Sequence, residues 1–368
     1  MSIELRGATK RYGSLTAVDA IDLDIEDGQV LCLLGPSGCG KTTTLRMIAG
    51  LERCDEGDIR IGGRRVNDLA ARERDVAMSF QFYALYPSLT VAENLVFPLH
   101  AEGLSRAEIE TKLAAVAQVL QLEPILERKP GQLAEGEKQR VAVGRSIIRD
   151  PTCFLFDEPL SRLDVQLRET MRGEIKEVLQ GLSRPTVIVT HDQLEALTMA
   201  DRIAVMRDGR IEQVDTPATV FGRPANLFVA GFIGTPQMNL LPAVLDGPGE
   251  GGRGTFRIEG GQSLSLDIGA GLAELPSGAE VVLGIRPRNL EILSEAAADS
   301  LSSTIDLIEP MGAETLAHLN DGEHDIRVVT DWRTSLAEGE RVHARFPPGS
   351  THVFHGERLL GSAGEGRA

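Results

Sequence analysis

One loop constrains this chain more than any other stretch of it. The apolar run VLCLL is followed by the loop Gly35–Thr42, GPSGCGKT, and then by the helical pattern TTLRMIAG. This matches the pattern G-x-x-x-x-G-K-[ST], with a strand before it and a helix after it. Its backbone N–H groups and the start of the helix attract phosphates, Lys41 is expected to reach the β- and γ-phosphates, and Thr42 to bind Mg²⁺. The loop therefore predicts a nucleoside triphosphate site, against the alternative of a glycine-rich turn that binds nothing.

Two further apolar runs end in polar residues. Residues 153–156 lead into Asp157 and Glu158, and residues 186–190 lead into His191. Because ligands gather at the carboxyl edge of α/β sheets, these side chains are expected near the phosphates. Asp157 is expected to hold Mg²⁺, and Glu158 to orient or deprotonate a water molecule. The alternatives are an ordinary helix-start pattern for the two carboxylates and a purely structural histidine.

The chain divides by composition into two parts. Its 368 residues exceed what one core usually serves, so two domains are expected. Residues 1–235 alternate apolar strands with helical patterns, which predicts an α/β phosphate-loop domain with a helical subdomain at about 85–150. Residues 236–368 contain ten Arg, no Lys and twenty Asp or Glu, and their short β-rich runs alternate with Gly/Pro clusters. That pattern predicts a small all-β barrel or sandwich.

Composition also narrows the classes of protein. The net charge of −16 argues against general nucleic-acid binding. No apolar run approaches the roughly 20 residues of a membrane helix, and the N-terminal residues lack the apolar core of a signal peptide. The four cysteines, Cys32, Cys39, Cys54 and Cys153, have no metal-ligand or disulfide spacing, which favours a reducing cytoplasm.

The order of the motifs resembles that of the ATP-binding-cassette (ABC) ATPases. The matching stretches are the phosphate loop, Gln81 in SFQFYALYPSLTVAENL, LAEGEKQRVAVGRSI (133–147), FLFDEP, SRLD (161–164) and THDQLEALTMADRI (190–203). YALYPSLTVAEN, THDQLEALTMADRI and a β-domain with GIRP (284–287) and PMGAET (310–315) are similar to the carbohydrate-import class. That class includes maltose and glycerol-3-phosphate importers, and the resemblance implies an OB-like transport-associated domain over 236–368.

The resemblance assigns a role to several single residues. Tyr12 matches the aromatic residue that stacks on adenine, although a tyrosine packed against the sheet edge is the alternative. Gln81 matches the glutamine that senses Mg²⁺ and the γ-phosphate, His191 the histidine that contacts the γ-phosphate, and Asp164 the aspartate that works across the dimer. Glu158, His191 and Gln81 are thus the expected catalytic residues. The expected ATP ligands are Tyr12, Gly35, Pro36, Ser37, Gly38, Cys39, Gly40, Lys41, Thr42 and Thr43, and the expected Mg²⁺ ligands are Thr42, Gln81 and Asp157.

The family also implies a function and partners. We expect an ATP-hydrolysing importer subunit for a carbohydrate or polyol, on the cytoplasmic face of the inner membrane, with two permease subunits, an indirect solute-binding protein and no nucleic acid. Residues 82–100, with Phe82, Tyr83, Leu85, Tyr86 and Phe97, are apolar and imply a socket for a permease helix, unless a core buries them. The alternative functions are a soluble non-transport ABC ATPase and a regulatory scaffold with a vestigial ATPase.

One motif departs from the family. The signature Leu-Ser-Gly-Gly-Gln, which completes the site on the partner's phosphate loop, reads Leu133-Ala134-Glu135-Gly136-Glu137 here. Ala134 lacks the hydroxyl, and Glu135 and Glu137 add negative charge near a polyanion. Two unit charges about 4 Å apart repel by about 4 kcal/mol at an effective dielectric of about 20. We therefore expect a second, different ATPase subunit with an intact signature. The alternatives are acidic residues that merely suit a helix start, and a homodimer with two impaired sites.

Overall fold

A computed structural model describes residues 2–80, 82–161, 163–248, 253–267 and 275–363. Its contacts divide the chain into two compact units, Met1–Val220 and Phe221–Ala368. This division lies before residue 235, where composition changes. The reason is that residues 221–235 bond within the second unit: Leu227 N donates to Glu357 O at 2.9 Å, and Arg286 Nη2 to Phe221 O at 2.8 Å.

The first unit contains two sheets. Its strands are β1 (Ile3–Tyr12), β2 (Leu15–Ile25), β3 (Val30–Leu34), β4 (Glu56–Ile61), β5 (Arg64–Arg65), β6 (Val76–Ser79), β7 (Cys153–Asp157), β8 (Thr186–Thr190), β9 (Arg202–Arg207) and β10 (Arg210–Asp215). The four-stranded antiparallel sheet has the order β2-β1-β4-β5, and the six-stranded sheet has the order β10-β9-β3-β8-β7-β6, parallel except for the β9–β10 pair.

The parallel sheet is buried on both faces. Leu31 and Leu33 of β3 join one core, which contains the antiparallel sheet, whereas Val30 joins the core of the helical side. Strand β7 alternates in the same way, with Leu155 in the first core and Phe154 in the second. Since side chains alternate between faces, a strand with apolar residues at consecutive positions fits only a sheet covered on both sides. The predicted α/β class is confirmed.

Several helices pack on the second face, whereas the helix after the phosphate loop contributes Leu45, Met47 and Ile48 to the first core. Two of them begin with reciprocal capping boxes, in which Thr90 pairs with Glu93 and Ser105 with Glu108. The helices are α1 (Lys41–Ala49), α2 (Val91–Val96), α3 (Arg106–Val119), α4 (Glu135–Ile147), α5 (Val165–Gln180), α6 (Gln193–Met199), α7 (Pro217–Gly222) and α8 (Leu227–Phe232). Shorter 3₁₀ turns lie at Ala71–Glu73, Phe97–Ala101, Glu123–Ile125, Pro130–Gln132 and Pro287–Asn289. None of the helices in the described part of the chain is long and apolar enough to cross a membrane.

The second unit is built on antiparallel strands, as predicted. The strands are β11 (Asn239–Pro248), β12 (Arg253–Ile258), β13 (Ser263–Asp267), β14 (Ala279–Ile285), β15 (Glu291–Leu293), β16 (Ser300–Pro310), β17 (Glu314–Asn320), β18 (Asp325–Asp331), β19 (Arg341–Arg345), β20 (Thr351–His355) and β21 (Arg358–Ala363). Its sheets have the orders β13-β12-β11-β14-β20-β21 and β15-β19-β16-β17-β18, and side chains of both, such as Phe256 and Leu319, fill one core.

A buried arginine holds the end of the helix that follows the phosphate loop. Arg74 is 5% exposed, and its Nη1 donates to the carbonyls of Met47 at 2.6 Å and Ile48 at 3.0 Å. These carbonyls belong to the last turn of α1, where carbonyls lack the regular helical partner four residues later, and Met47 O has in addition only a long bond from Gly50 N at 3.3 Å. Gly50 ends the helix at φ +78°, and a Cβ there would lie 2.4 Å from Arg74 Nε. The arginine therefore fixes the orientation of α1 from its carboxyl end.

Replacing Arg74 by Met should lower the free energy of unfolding by about 2–3 kcal/mol, because the Ile48 carbonyl loses its donor and the Met47 carbonyl keeps only its long bond from Gly50. Urea unfolding followed by circular dichroism measures the change. Arg72→Met, an exposed neighbour on the same turn, is the matched control and should shift stability by less than about 0.5 kcal/mol. Equal effects of the two substitutions would contradict the role of Arg74.

Candidate functional site

The phosphate loop wraps around the ammonium group of Lys41. Lys41 is 6% exposed, and its Nζ donates to Gly35 O at 2.8 Å and Pro36 O at 2.9 Å. Gly40, the residue before α1, has φ +104°, and a Cβ there would lie 2.4 Å from Ala17 O. Only glycine fits at that position, since both the backbone angle and the space exclude a side chain. The loop thus places a buried cation at the start of α1, where an anion is favoured.

Thr42 and Asp157 meet beside the loop. Thr42 Oγ1 donates to Asp157 Oδ1 at 3.3 Å, which joins the first turn of α1 to the end of β7. Asp157 is buried, and burial raises the pKa of its carboxyl group. A hydroxyl and a carboxylate are hard oxygen ligands of the kind Mg²⁺ takes, together with water and phosphate oxygens. The pair therefore fits a magnesium ion, whereas Gln81, the third expected ligand, lies outside the described residues.

Glu158 and His191 form a second pair at the same edge. His191 Nδ1 lies 3.3 Å from Glu158 Oε1, although the two residues are on different strand ends. Glu158 has φ +51°, a left-handed conformation that is uncommon for a residue with a side chain. Its backbone is held there by a hydrogen bond from its N–H to Val189 O at 2.9 Å. Strain of this kind concentrates at functional sites, and here it directs a carboxylate next to an imidazole.

Tyr12 lies at the end of β1 with its ring 44% exposed. Partial burial and, after it, the negative charge of Glu52 raise the pKa of its hydroxyl, which lies near Glu52 and near Thr43 of the phosphate-loop helix. Lys10 Nζ lies 5.1 Å from the ring centroid. An exposed ring held beside the phosphate loop fits stacking on a base better than it fits packing against the sheet.

The divergent signature forms the start of α4. Ala134 N donates to Glu137 Oε2 at 2.8 Å, so Glu137 caps its own helix. Glu137 also lies 3.7 Å from Arg128, and Glu135 lies 2.6 Å from Lys138. Both carboxylates are therefore paired with cations of their own chain, which weakens the repulsion expected from their charges.

The glycine of the divergent signature and the expected dimer-crossing aspartate lie near one residue of α5. A Cβ at Gly136 would lie 2.9 Å from a methyl group of Leu167, so a larger residue there would displace the end of the Leu167 side chain. Asp164 is exposed and accepts a hydrogen bond from Leu167 N at 3.0 Å, which caps α5.

Sequence reasoning missed an arginine that holds the apolar segment. Arg145 Nη2 donates to Tyr83 O at 2.9 Å and Nη1 donates to Ala84 O, and burial lowers the pKa of this guanidinium. The guanidinium also lies 5.8 Å from the centroid of the Tyr86 ring. No local pattern marks Arg145, because its partners are about 60 residues earlier in the chain.

Comparisons with known proteins bear on this geometry. A family model described as ABC transporter matches residues 18–161, one described as MalK OB fold domain matches 234–290, and one described as TOBE domain matches 283–354. The chain is 45% identical over 360 residues to the sn-glycerol-3-phosphate import ATP-binding protein UgpC of Cupriavidus pinatubonensis, covering 96% of each chain. The chain belongs to the ABC transporter ATP-binding proteins.

Other proteins similar to this chain belong to the same family. It is 48% identical over 352 residues to UgpC 1 of Rhizobium johnstonii, with 96% and 94% coverage, and 44% identical over 365 residues to the uncharacterized ABC transporter ATP-binding protein y4oS of Sinorhizobium fredii, with 98% and 95% coverage. A solved dimeric structure of the ATP-binding cassette MJ0796 with ADP and Pi is 30% identical and covers 58% of this chain and 98% of its own, with a TM-score of 0.52. The predicted ATPase activity, fold class and OB-like second part are confirmed.

The buried carboxylate makes stability depend on pH. Because burial raises the folded-state pKa of Asp157 above its unfolded value of about 3.9, the folded state binds this proton more tightly. Its ionisation therefore lowers the free energy of unfolding as pH rises from about 4 through the folded-state pKa. We expect Asp157→Asn, measured without nucleotide or Mg²⁺, to raise the melting temperature at about pH 8 and to raise it less as pH falls.

Thermal unfolding across pH measures this effect. The exposed Asp27→Asn is the control and should change the melting temperature little at any pH. A gain for Asp157→Asn that is equal at all pH values would show that ionisation of Asp157 is not its cause.

Proposed function

We propose that this chain is the ATP-hydrolysing subunit of an importer for a carbohydrate or polyol, such as a glycerol phosphate. The observation that carries the catalytic part is the meeting of Glu158 and His191 at 3.3 Å beside the phosphate loop. The proposal that the ATPase serves an importer, and the proposed class of solute, are supported by the names of the relatives and by the match to a MalK OB fold domain. The solute itself would be chosen by a permease and a solute-binding protein.

The site residues divide the work of hydrolysis. Tyr12 would stack on adenine, and Lys41 would leave the loop carbonyls to bind the β- and γ-phosphates. Thr42, Asp157 and the expected ligand Gln81 would hold Mg²⁺, which neutralises charge on the phosphate oxygens when it is bound. Glu158 would accept a hydrogen bond or a proton from the attacking water, and His191 would contact the γ-phosphate. Positioning and electrostatics supply most of the rate in such reactions.

An exposed aromatic patch supports attachment to a permease. Phe82, Tyr86 and Phe97 are 66%, 42% and 43% exposed, and the Tyr86 and Phe97 rings lie 4.4 Å apart. Large side chains that a core does not bury usually mark an interaction site. A cytoplasmic helix of each permease subunit would dock here, which would place the chain on the cytoplasmic face of the inner membrane. A soluble non-transport ABC ATPase would have no use for this patch.

A second copy of this chain replaces the different ATPase subunit that the sequence led us to expect. The second, different ATPase subunit expected from the sequence is not supported by the comparisons, and a solved relative is described as dimeric. The pairs Glu135–Lys138 and Glu137–Arg128 also remove part of the electrostatic reason for it. We therefore propose that two copies of this chain pair, with Ala134–Glu137 of each facing the nucleotide of the other and Asp164 near the shared interface.

Replacing Glu158 by Gln should leave ATP binding nearly unchanged and lower kcat by about 10²–10⁴-fold, because the amide cannot accept the proton of water. ATP binding is followed by the rise in melting temperature, and hydrolysis by phosphate release. Glu26→Gln, an exposed glutamate at the end of β2, is the control and should keep normal turnover. Turnover of Glu158→Gln equal to that of the wild type would exclude Glu158 as the base. The scaffold with a vestigial ATPase would be favoured if the wild type, Glu158→Gln and Lys41→Gln all showed the same background rate.

Intact mass spectrometry of the native complex, purified through a tag on this chain, tests the partners. We expect two copies of this chain and two permease subunits. One copy together with a different ATPase subunit would contradict the homodimer, and a complex without permease would contradict the importer.

A further inference from the structure

Arg168 of α5 joins the two loops that follow the catalytic strands. Its Nη2 donates to Leu163 O at 2.9 Å, and its Nη1 lies 3.4 Å from Asp192 Oδ2. Leu163 belongs to the 161–164 loop, and Asp192 follows His191 directly. One guanidinium therefore spans the loop that leads to Asp164 and the loop that carries the catalytic histidine.

The backbone on both sides of His191 is tied down. Asp192 Oδ1 accepts from Leu194 N at 2.8 Å and Glu195 N at 3.2 Å, and Asp192 N donates to Thr190 Oγ1 at 3.0 Å. The Thr190 hydroxyl in turn donates to Glu195 Oε2 at 2.7 Å. Because the residues before and after His191 share this network, a shift of Asp192 moves the imidazole.

The other loop is tied to Glu158. Ser161 donates to Glu158 O twice, from its N–H at 3.3 Å and from its hydroxyl at 3.1 Å. The contacts thus join Ser161 to Glu158 and Leu163 to Arg168, and they continue from Arg168 through Asp192 and its neighbour His191 back to Glu158. Among these residues Arg168 lies on α5, whereas the others lie in the two loops that follow β7 and β8.

The arrangement is not one that stability alone explains. The Nε of Arg168 is buried, and within the described part of the chain no acceptor lies within hydrogen-bond distance of it. A partly buried ion pair with one unsatisfied donor contributes little net stability. Its geometry is nevertheless specific, since only the planar guanidinium reaches a carbonyl and a carboxylate at once.

We propose that Arg168 is a positioning residue for ATP hydrolysis, which sets the position of His191 relative to Glu158 and transmits movement of the 161–164 loop to this pair. This inference rests on the proposed roles of Glu158 and His191. It adds that arrival of the second copy at Asp164 changes the catalytic pair through Arg168.

Two substitutions test the proposal in the full-length chain, at a protein concentration where turnover per chain no longer rises. Arg168→Gln should lower kcat by about tenfold or more and change the KM for ATP by less than about twofold, because binding contacts are unchanged. Arg168→Lys should recover only part of the loss, since an ammonium lacks the fork. Arg149→Gln is the control: Arg149 pairs with Asp75 at 3.0 Å and Glu102 at 2.8 Å near the amino end of β6, at the opposite edge of the sheet.

The same substitution in a His191→Ala background separates positioning from a structural effect. If Arg168 acts through His191, Arg168→Gln should lower kcat no further in that background. An equal loss in both backgrounds, or a loss of melting temperature with kcat unchanged, would overturn the proposal. Full turnover of His191→Ala by itself would instead overturn the proposed role of His191.

Discussion

The site depends on the parallel pairing of three five-residue strands, β3, β7 and β8. In β3 and β8, Leu34 pairs with Thr190, and in β7 and β8, Asp157 pairs with Val189. This register brings the phosphate loop, the Asp157–Glu158 pair and His191 to one edge. It is stable because apolar side chains at consecutive positions enter cores on both faces of the sheet. A slip of one residue would exchange the two faces and separate the site.

The rigid sheet carries a site that costs stability. Asp157 is a buried carboxylate with a raised pKa, Glu158 has a left-handed backbone, and Lys41 is a buried ammonium held by loop carbonyls. Each would favour another conformation or protonation state if it were isolated. The surrounding strands and the α1 anchor at Arg74 over-determine the geometry, so the strain persists where it serves the reaction.

The negative charges of the signature segment have partners in the folded chain that weaken their repulsion of a polyanion. Two glutamates near a polyanion predict repulsion when they are counted alone. In the folded chain, Glu137 caps α4 and lies near Arg128, while Glu135 pairs with Lys138 one turn later. The Lys138 partner could be inferred from helical spacing, whereas Arg128 becomes a neighbour only through the turn that precedes α4.

The sequence by itself determined the phosphate loop, the candidate residues Asp157, Glu158 and His191, and the two classes of domain. These follow from local information, since glycine spacing, apolar runs and the residue after each strand can be read without knowing the strand order. Only the tertiary structure decided that Glu158 contacts His191. It also decided that Arg74 holds the end of α1, that Arg145 holds residues 83–84, and that Arg168 joins the loops after β7 and β8. It also decided that residues 221–235 bond within the second unit. The physical reason is that these contacts join residues whose proximity depends on how strands and helices are ordered in space, and no local pattern encodes that order.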